Sequence, residues 1–267
     1  MAERQLKELL QAAVEAAELA APVIRGYFGS RRMGLERKAD GSPVTKADRE
    51  AEAAIRARLA AATQAGPIDI LGEEQGFTGT GTRWRWTIDP IDGTRAFVRG
   101  IPLFGSMIGL EDTADGRALL GVIHLPMLGV TYAGARGLGA TRNGAALLLP
   151  AEVTLEDAIV GTGDVAQFEE AGRLEDYRRL VALHGYVRGY TDCFGHGLAI
   201  EGALGAMLDP ALNPWDLVPT CALVEAAGGS VVIRPSKSPG KFDALFGNRA
   251  LVARLDRELE FSPPTFR

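Results

Sequence analysis

The stretch Trp86-Thr87-Ile88-Asp89-Pro90-Ile91-Asp92-Gly93-Thr94 sends two carboxylates out of the end of an apolar run within four residues. Asp89 and Asp92 repel each other, and holding them side by side is costly without a cation. A hard divalent ion wants oxygen ligands and uses such a pair, with phosphate and water completing its shell. Pro90 stiffens the connection and removes a competing N–H donor. If a helix begins at or just after Thr94, the N–H groups of Gly93 and Thr94 face outward with the positive end of its dipole, a ready phosphate site. The plainer account is an Asx-rich turn between a strand and a helix, with both acids merely capping it.

The company of this stretch favours chemistry. Glu73-Glu74 follows an earlier predicted strand, and Trp215-Asp216 precedes a predicted helix, so acids converge from three places. Taken singly, Glu73-Glu74 suits a solvated turn and Asp216 an N-cap. Thr45-Lys46-Ala47-Asp48 sets a hydroxyl three residues before a carboxylate at a helix start, which is also the pattern of a capping box.

Gly72-Glu73-Glu74, Asp89-Pro90-Ile91-Asp92-Gly93-Thr94 and Trp215-Asp216 occur in the order and approximate separation of the GEE, DPxDGT and WD motifs of the inositol monophosphatase family, which the chain resembles over nearly its whole length. Thr45 to Asp48 matches that family's TxxD. The resemblance implies that Glu73, Asp89 and the backbone carbonyl of Ile91 ligate a first magnesium ion, and that Asp89, Asp92 and Asp216 ligate a second. Glu73 would also hold a third through waters, giving two to three Mg2+ per active site. It further implies that Thr94 and Asp48 orient the attacking water, that Gly93 and Thr94 receive the phosphate, and that water attacks phosphorus in line without a phosphoenzyme. Covalent alternatives lack their residues: no Cys-x5-Arg loop follows Cys193 or Cys221, no Walker-type Gly-Lys-Ser/Thr is present, and Asp89 and Asp92 are spaced by three rather than as D-x-D.

Residues Arg188 to Gly195 and Leu208 to Asp216 resemble the histidinol-phosphate phosphatase branch of that family, through Asp192-Cys193 and Leu212-Asn213-Pro214. Asp192 and Asp209 would place negative charge near the leaving group, which suits the ammonium and imidazole of L-histidinol better than a neutral polyol. An acid at 209 also suits inositol hydroxyls, and Asp192 is equally placed to cap a helix beginning near Phe194. The rival substrates are inositol 1-phosphate and a broader set of sugar or nucleotide phosphates. From another class, a metal-bound binding or regulatory protein would keep the fold without turnover. Trp84, Trp86 and Trp215 are expected to fill core or support the motif loops, and His124, His184 and His196 lack metal-ligand spacing. Arg95, Phe97 and Ile101 to Phe104 are expected to pack the phosphate loop and an oligomer contact, favouring a homodimer.

The elements that must position these residues follow from periodicity. Apolar residues recur at helical intervals from Leu6 to Phe28, a break spans Gly34 to Pro43, and a second helix runs from Thr45 to Ala62. Short strands are predicted at Ile68 to Leu71 and Trp84 to Ile88, then a meander at Phe104 to Glu111, Ala118 to His124 and Val130 to Ala135. Beyond Pro150 the pattern alternates: strand 158–162, helix 170–183, strand 186–190, helix 194–203 and helix 216–227, stopped by Gly228-Gly229. The expected fold class is α+β and α/β: a layered α-β-α-β-α arrangement of the sugar-phosphatase kind. Its N-terminal antiparallel-sheet lobe, 1–150, would bind metal and phosphate. Its C-terminal α/β lobe, 151–267, would set substrate specificity, the two forming one continuous unit.

Composition narrows the partners. Of 267 residues 46% are hydrophobic and 24% charged, with no apolar run long enough to span a bilayer. The net charge of −5, without a polybasic stretch, lacks the footprint of a nucleic-acid binder. An amphipathic start and two cysteines without paired spacing lead to the expectation of a cytoplasmic protein acting on a small phosphorylated metabolite.

Overall fold

The computed structural model describes residues 1–30, 33–38, 41–62 and 66–261. Helix α1 (Glu3–Tyr27) buries one stripe, including Leu6, Leu9, Ala13, Ala17 and Ile24. Within the segment expected as a plain break, β1 (Glu36–Arg37) and β2 (Pro43–Val44) pair as a short antiparallel hairpin. Thr45 then caps α2 (Lys46–Ala61), whose Ala47, Ala51, Ile55 and Leu59 share a core with α1. Each large aliphatic side chain buried there contributes about 1.5–3 kcal/mol.

These helices cover an eight-stranded sheet. Its strands are β3 (Asp69–Gly72), β4 (Gly76–Thr78), β5 (Trp84–Asp92), β6 (Gly105–Asp112), β7 (Arg117–Leu125), β8 (Val130–Ala135), β9 (Gly139–Arg142) and β10 (Ala145–Leu147), with the short helix α3 (Thr94–Arg99) between β5 and β6. The order is β10-β9-β8-β7-β6-β5-β3-β4. The expected meander is present at its centre, and β3 alone runs parallel to its neighbour β5.

The chain continues through β11 (Val160–Thr162), α4 (Val165–Glu170), α5 (Leu174–Leu183), β12 (Val187–Arg188), α6 (Asp192–Glu201), β13 (Ala206–Leu212), α7 (Pro214–Ala226), β14 (Ser230–Pro235), β15 (Phe242–Gly247) and α8 (Arg249–Leu259). The second sheet has the order β12-β11-β13-β15-β14, parallel across its first three strands and antiparallel thereafter. The helix expected over 170–183 begins only at Leu174, as α5, because Gly172 takes φ +68° and separates it from α4, which was not among the expected helices. Strand β13, the closing hairpin and α8 are additions to the predicted elements.

Five layers result: α1 and α2, the first sheet, α6 and α7, the second sheet, then α4, α5 and α8. Helix α7 is apolar nearly all round because sheets lie on both sides of it. Gly109 and Gly121 face each other across β6 and β7. A Cβ at Gly109 would come within 2.7 Å of Val218, and one at Gly121 would strike the backbone of Pro219. This glycine pair lets α7 sink onto the sheet, and the depth of α7 sets the position of Asp216.

Candidate active site

Strand β5 does not stop at Ile88 but runs through the acidic motif to Asp92, its register against β6 slipping between Asp89 and Asp92. A bulge of this kind re-aims side chains. Here the Ser106 hydroxyl pins it by donating to the Pro90 carbonyl at 2.7 Å. Asp89 Oδ1 accepts the Ile91 N–H at 2.9 Å, and the Ile91 carbonyl accepts the Thr94 hydroxyl at 3.0 Å. Gly93 takes φ +86° to turn the chain into α3 at Thr94.

Asp216 arrives from the other lobe in the first turn of α7. The N–H and side-chain amide of Asn213 donate to its Oδ2 at 3.0 and 3.2 Å. Asp92 Oδ2 accepts the backbone N–H of Cys193, in the first turn of α6. One carboxylate oxygen from each of Asp89, Asp92 and Asp216 lies within 4.8 Å of the others. Asp89 and Asp216 are buried. Burial, then Glu73, Asp92 and Asp216, push the Asp89 carboxyl well up, and burial with Asp192 and Asp216 does the same to Asp92. Asp216 is raised to about 7 by burial and by Glu73, and its Oδ1 is buried without a partner. Crowded, buried and in part orphaned oxygens of this kind are what a hard divalent cation satisfies, so the donor set fits magnesium chemistry.

Glu73 lies close enough to raise Asp89 and Asp216, and its carboxylate also pairs with a cation. Lys38, just beyond β1, places its ammonium 2.7 Å from Glu73 and 2.6 Å from Glu74. Beneath that turn, Glu52 of α2 is fully buried; it accepts the Glu74 and Gln75 N–H groups at 2.7 and 3.2 Å and Arg56 Nε at 2.6 Å. Glu52 lies one turn after Asp48 on the buried face of α2, a polar interruption of an apolar stripe that sequence reasoning could have flagged. Nothing in the sequence marks Lys38.

Asp48 fulfils the capping box and keeps an atom to spare. Its Oδ2 accepts the Thr45 N–H at 2.7 Å and the Thr45 hydroxyl at 2.6 Å, while Oδ1 is buried without a partner. Burial outweighs the Thr45 bonds and raises the carboxyl to about 6.

Asp192 does not cap α6. Thr191 is the N-cap residue, and Asp192 is the first helical residue, at φ +59°. A non-glycine residue at positive φ is uncommon and concentrates at functional sites. Its carboxylate accepts the Thr191 hydroxyl at 2.9 Å and lies beside Gly93, where a Cβ would be 3.4 Å away. Asp209, expected to place negative charge near the leaving group, is buried in β13, with Oδ2 at 2.9 Å from Nε2 of His196. His196, to which the sequence reading gave no role, joins three elements. Trp86 fills core as expected, and Phe97 and Phe104 close an aromatic cluster with Phe28, while Ile101 is exposed.

The sequence model of the inositol monophosphatase family matches residues 5–259. A histidinol-phosphatase of Chlorobaculum parvum is 40% identical, over 82% of this chain and 83% of that protein. One of Streptomyces coelicolor is 34% identical over 76% and 78%. The structure of an inositol monophosphatase from Anabaena superposes with a TM-score of 0.81 at 28% identity, covering 97% of this chain and 98% of that one. With its acidic centre assembled from both lobes and a family match over nearly all of its length, the chain belongs to the inositol monophosphatase family.

Proposed function

We propose that the protein is a magnesium-dependent phosphomonoesterase whose substrate is L-histidinol phosphate, hydrolysed to L-histidinol and phosphate. Its family makes it a phosphatase. The observation that carries the metal reading is the convergence of buried Asp89 and Asp216 with partly buried Asp92 within 4.8 Å, mutually repelling. Magnesium, held by these residues with Glu73 and the Ile91 carbonyl, would neutralise charge on the phosphoryl group and acidify the attacking water.

The chain's own groups supply the rest. Asp48 Oδ1, unpartnered and buried, accepts a proton from the water, and the Asp48 carboxyl, raised to about 6, is ionised at neutral pH and still basic enough to take it. Thr94, held by its hydroxyl bond to Ile91, and Gly93 offer N–H groups to the phosphate. Asp192, at the edge of this loop, meets the cationic leaving group, which supports histidinol phosphate over a neutral polyol phosphate. The histidinol-phosphatase relatives support the same choice. The same geometry would accept inositol 1-phosphate, with Asp192 receiving a hydroxyl.

Asp89→Asn tests the metal reading. The variant is expected to lose at least about a hundredfold in magnesium-dependent phosphate release, together with the magnesium-induced rise in Tm of the parent. Retention of both would remove Asp89 from the metal centre.

A further inference from the structure

We propose that His196 and Asp209 form a single net-neutral couple, leaving Asp192 as the one specificity-determining charge presented to the leaving group. The inference rests on the reading of the cleft as a phosphatase site selecting a cationic leaving group.

Hydrogen counting carries it. The Thr220 hydroxyl lies 2.7 Å from the carbonyl of Asp216 and 2.7 Å from Nδ1 of His196. A carbonyl has no hydrogen to give, so the one hydroxyl hydrogen goes to Asp216 and the hydroxyl oxygen must accept from Nδ1–H. On the other side of the ring, Nε2 faces Asp209 Oδ2 at 2.9 Å, and one of those two atoms must also carry a hydrogen. The ring and the carboxyl group therefore share two hydrogens between them. Whichever heavy atom holds the second, the couple's charge is zero.

The surroundings require the same balance. His196 is 1% exposed, Asp209 2% and Thr220 0%. The ring of Phe246 packs edge-on at 5.0 Å, offering no polar partner. Asp209 Oδ1 is buried with no partner and lies under Gly163, where any Cβ would collide with it. An ionised carboxylate in that position without a neutralising proton would bear a heavy desolvation cost. Asp192 differs in each respect: it is half-buried, it borders the phosphate loop, and among the described residues it accepts one hydroxyl bond. His196 is accordingly a positioning residue. It quiets Asp209 and, through Thr220, ties α6 to the carbonyl of Asp216.

Two isosteric substitutions separate the acids. In Asp209→Asn the amide donates to Nε2 of a neutral ring that keeps its Nδ1–H, so the couple's charge is unchanged. In Asp192→Asn a negative charge is lost. The kcat/KM ratio of histidinol phosphate over inositol 1-phosphate is expected to fall roughly tenfold or more in Asp192→Asn and to stay within about threefold of the parent in Asp209→Asn. An equal fall in both variants would overturn the proposal. A parent enzyme with no such preference would sink the histidinol reading itself, and then nitrogen NMR of ring-labelled histidine still decides the couple. His196 Nδ1 is expected to carry hydrogen in the parent and in Asp209→Asn, and a bare Nδ1 in either overturns the proposal.

Discussion

Asp48 has one carboxylate oxygen for a helix and one that the proposed reaction would use. Its Oδ2 closes the capping box with Thr45 while Oδ1 is left buried and free, so the bland reading of TxxD and the catalytic one describe different atoms of the same group. Because its carboxyl is raised to about 6, kcat/KM is expected to fall as pH drops through about 6. Asp48→Asn should abolish that acid limb and lower kcat by about 10²- to 10⁴-fold, with magnesium affinity kept by calorimetry. Its folded pKa lies above the unfolded value near 4, so ionising it costs stability as pH rises from about 4 through 6, and the variant's Tm at pH 8 should match or exceed the parent's. Unchanged turnover would remove Asp48 from the mechanism. At this scale most of the site was legible in sequence, because Asp89, Asp92, Glu73 and Asp216 are set in fixed motifs. Lys38 and His196 were not, since a single lysine in a turn and a single histidine in a helix acquire partners only through tertiary contacts. The partner of Asp209 was hidden for the same reason: His196 is close in space but thirteen residues away in the chain.

Helices α6 and α7 bring residues from beyond the first sheet to the acids at the end of β5. Cys193 N–H fixes Asp92 from the start of α6, and α7 carries Asp216. The depth of α7 depends on the facing Gly109 and Gly121, which no motif search would select. Gly121→Ala should therefore push the Pro219 backbone outward, cost about 1–3 kcal/mol by denaturant titration and weaken magnesium binding, although it lies in a sheet strand outside every motif. Loss of stability with unaltered magnesium affinity would show that α7 depth does not set Asp216. Periodicity revealed α1, α2 and the meander because each buries one face at a regular interval. It missed α4 and began the next helix four residues early, across Gly172, because one glycine does not interrupt an otherwise helical pattern, and it ended β5 early because a strand continued through a bulge does not alternate.

Across the whole molecule, the two sheets enclose a layer of helices whose ends meet at a crowded set of buried acids. Among the described residues no helix is long and apolar enough to cross a membrane. Repulsion among Asp89, Asp92 and Asp216 costs stability at neutral pH, and a bound cation would relieve it. Magnesium at about a hundred times its dissociation constant should add roughly 2.7 kcal/mol, read as a rise in Tm that is absent with potassium at equal ionic strength. The layered architecture was legible from motif order and the resemblance it carried, whereas β13, β14, β15 and α8 were not anticipated. The most direct test of the account is phosphate release from histidinol phosphate and inositol 1-phosphate side by side at limiting concentration, with and without magnesium. The account predicts magnesium-dependent release with a clearly higher kcat/KM for histidinol phosphate; a preference for inositol 1-phosphate, or release indifferent to magnesium, would contradict it.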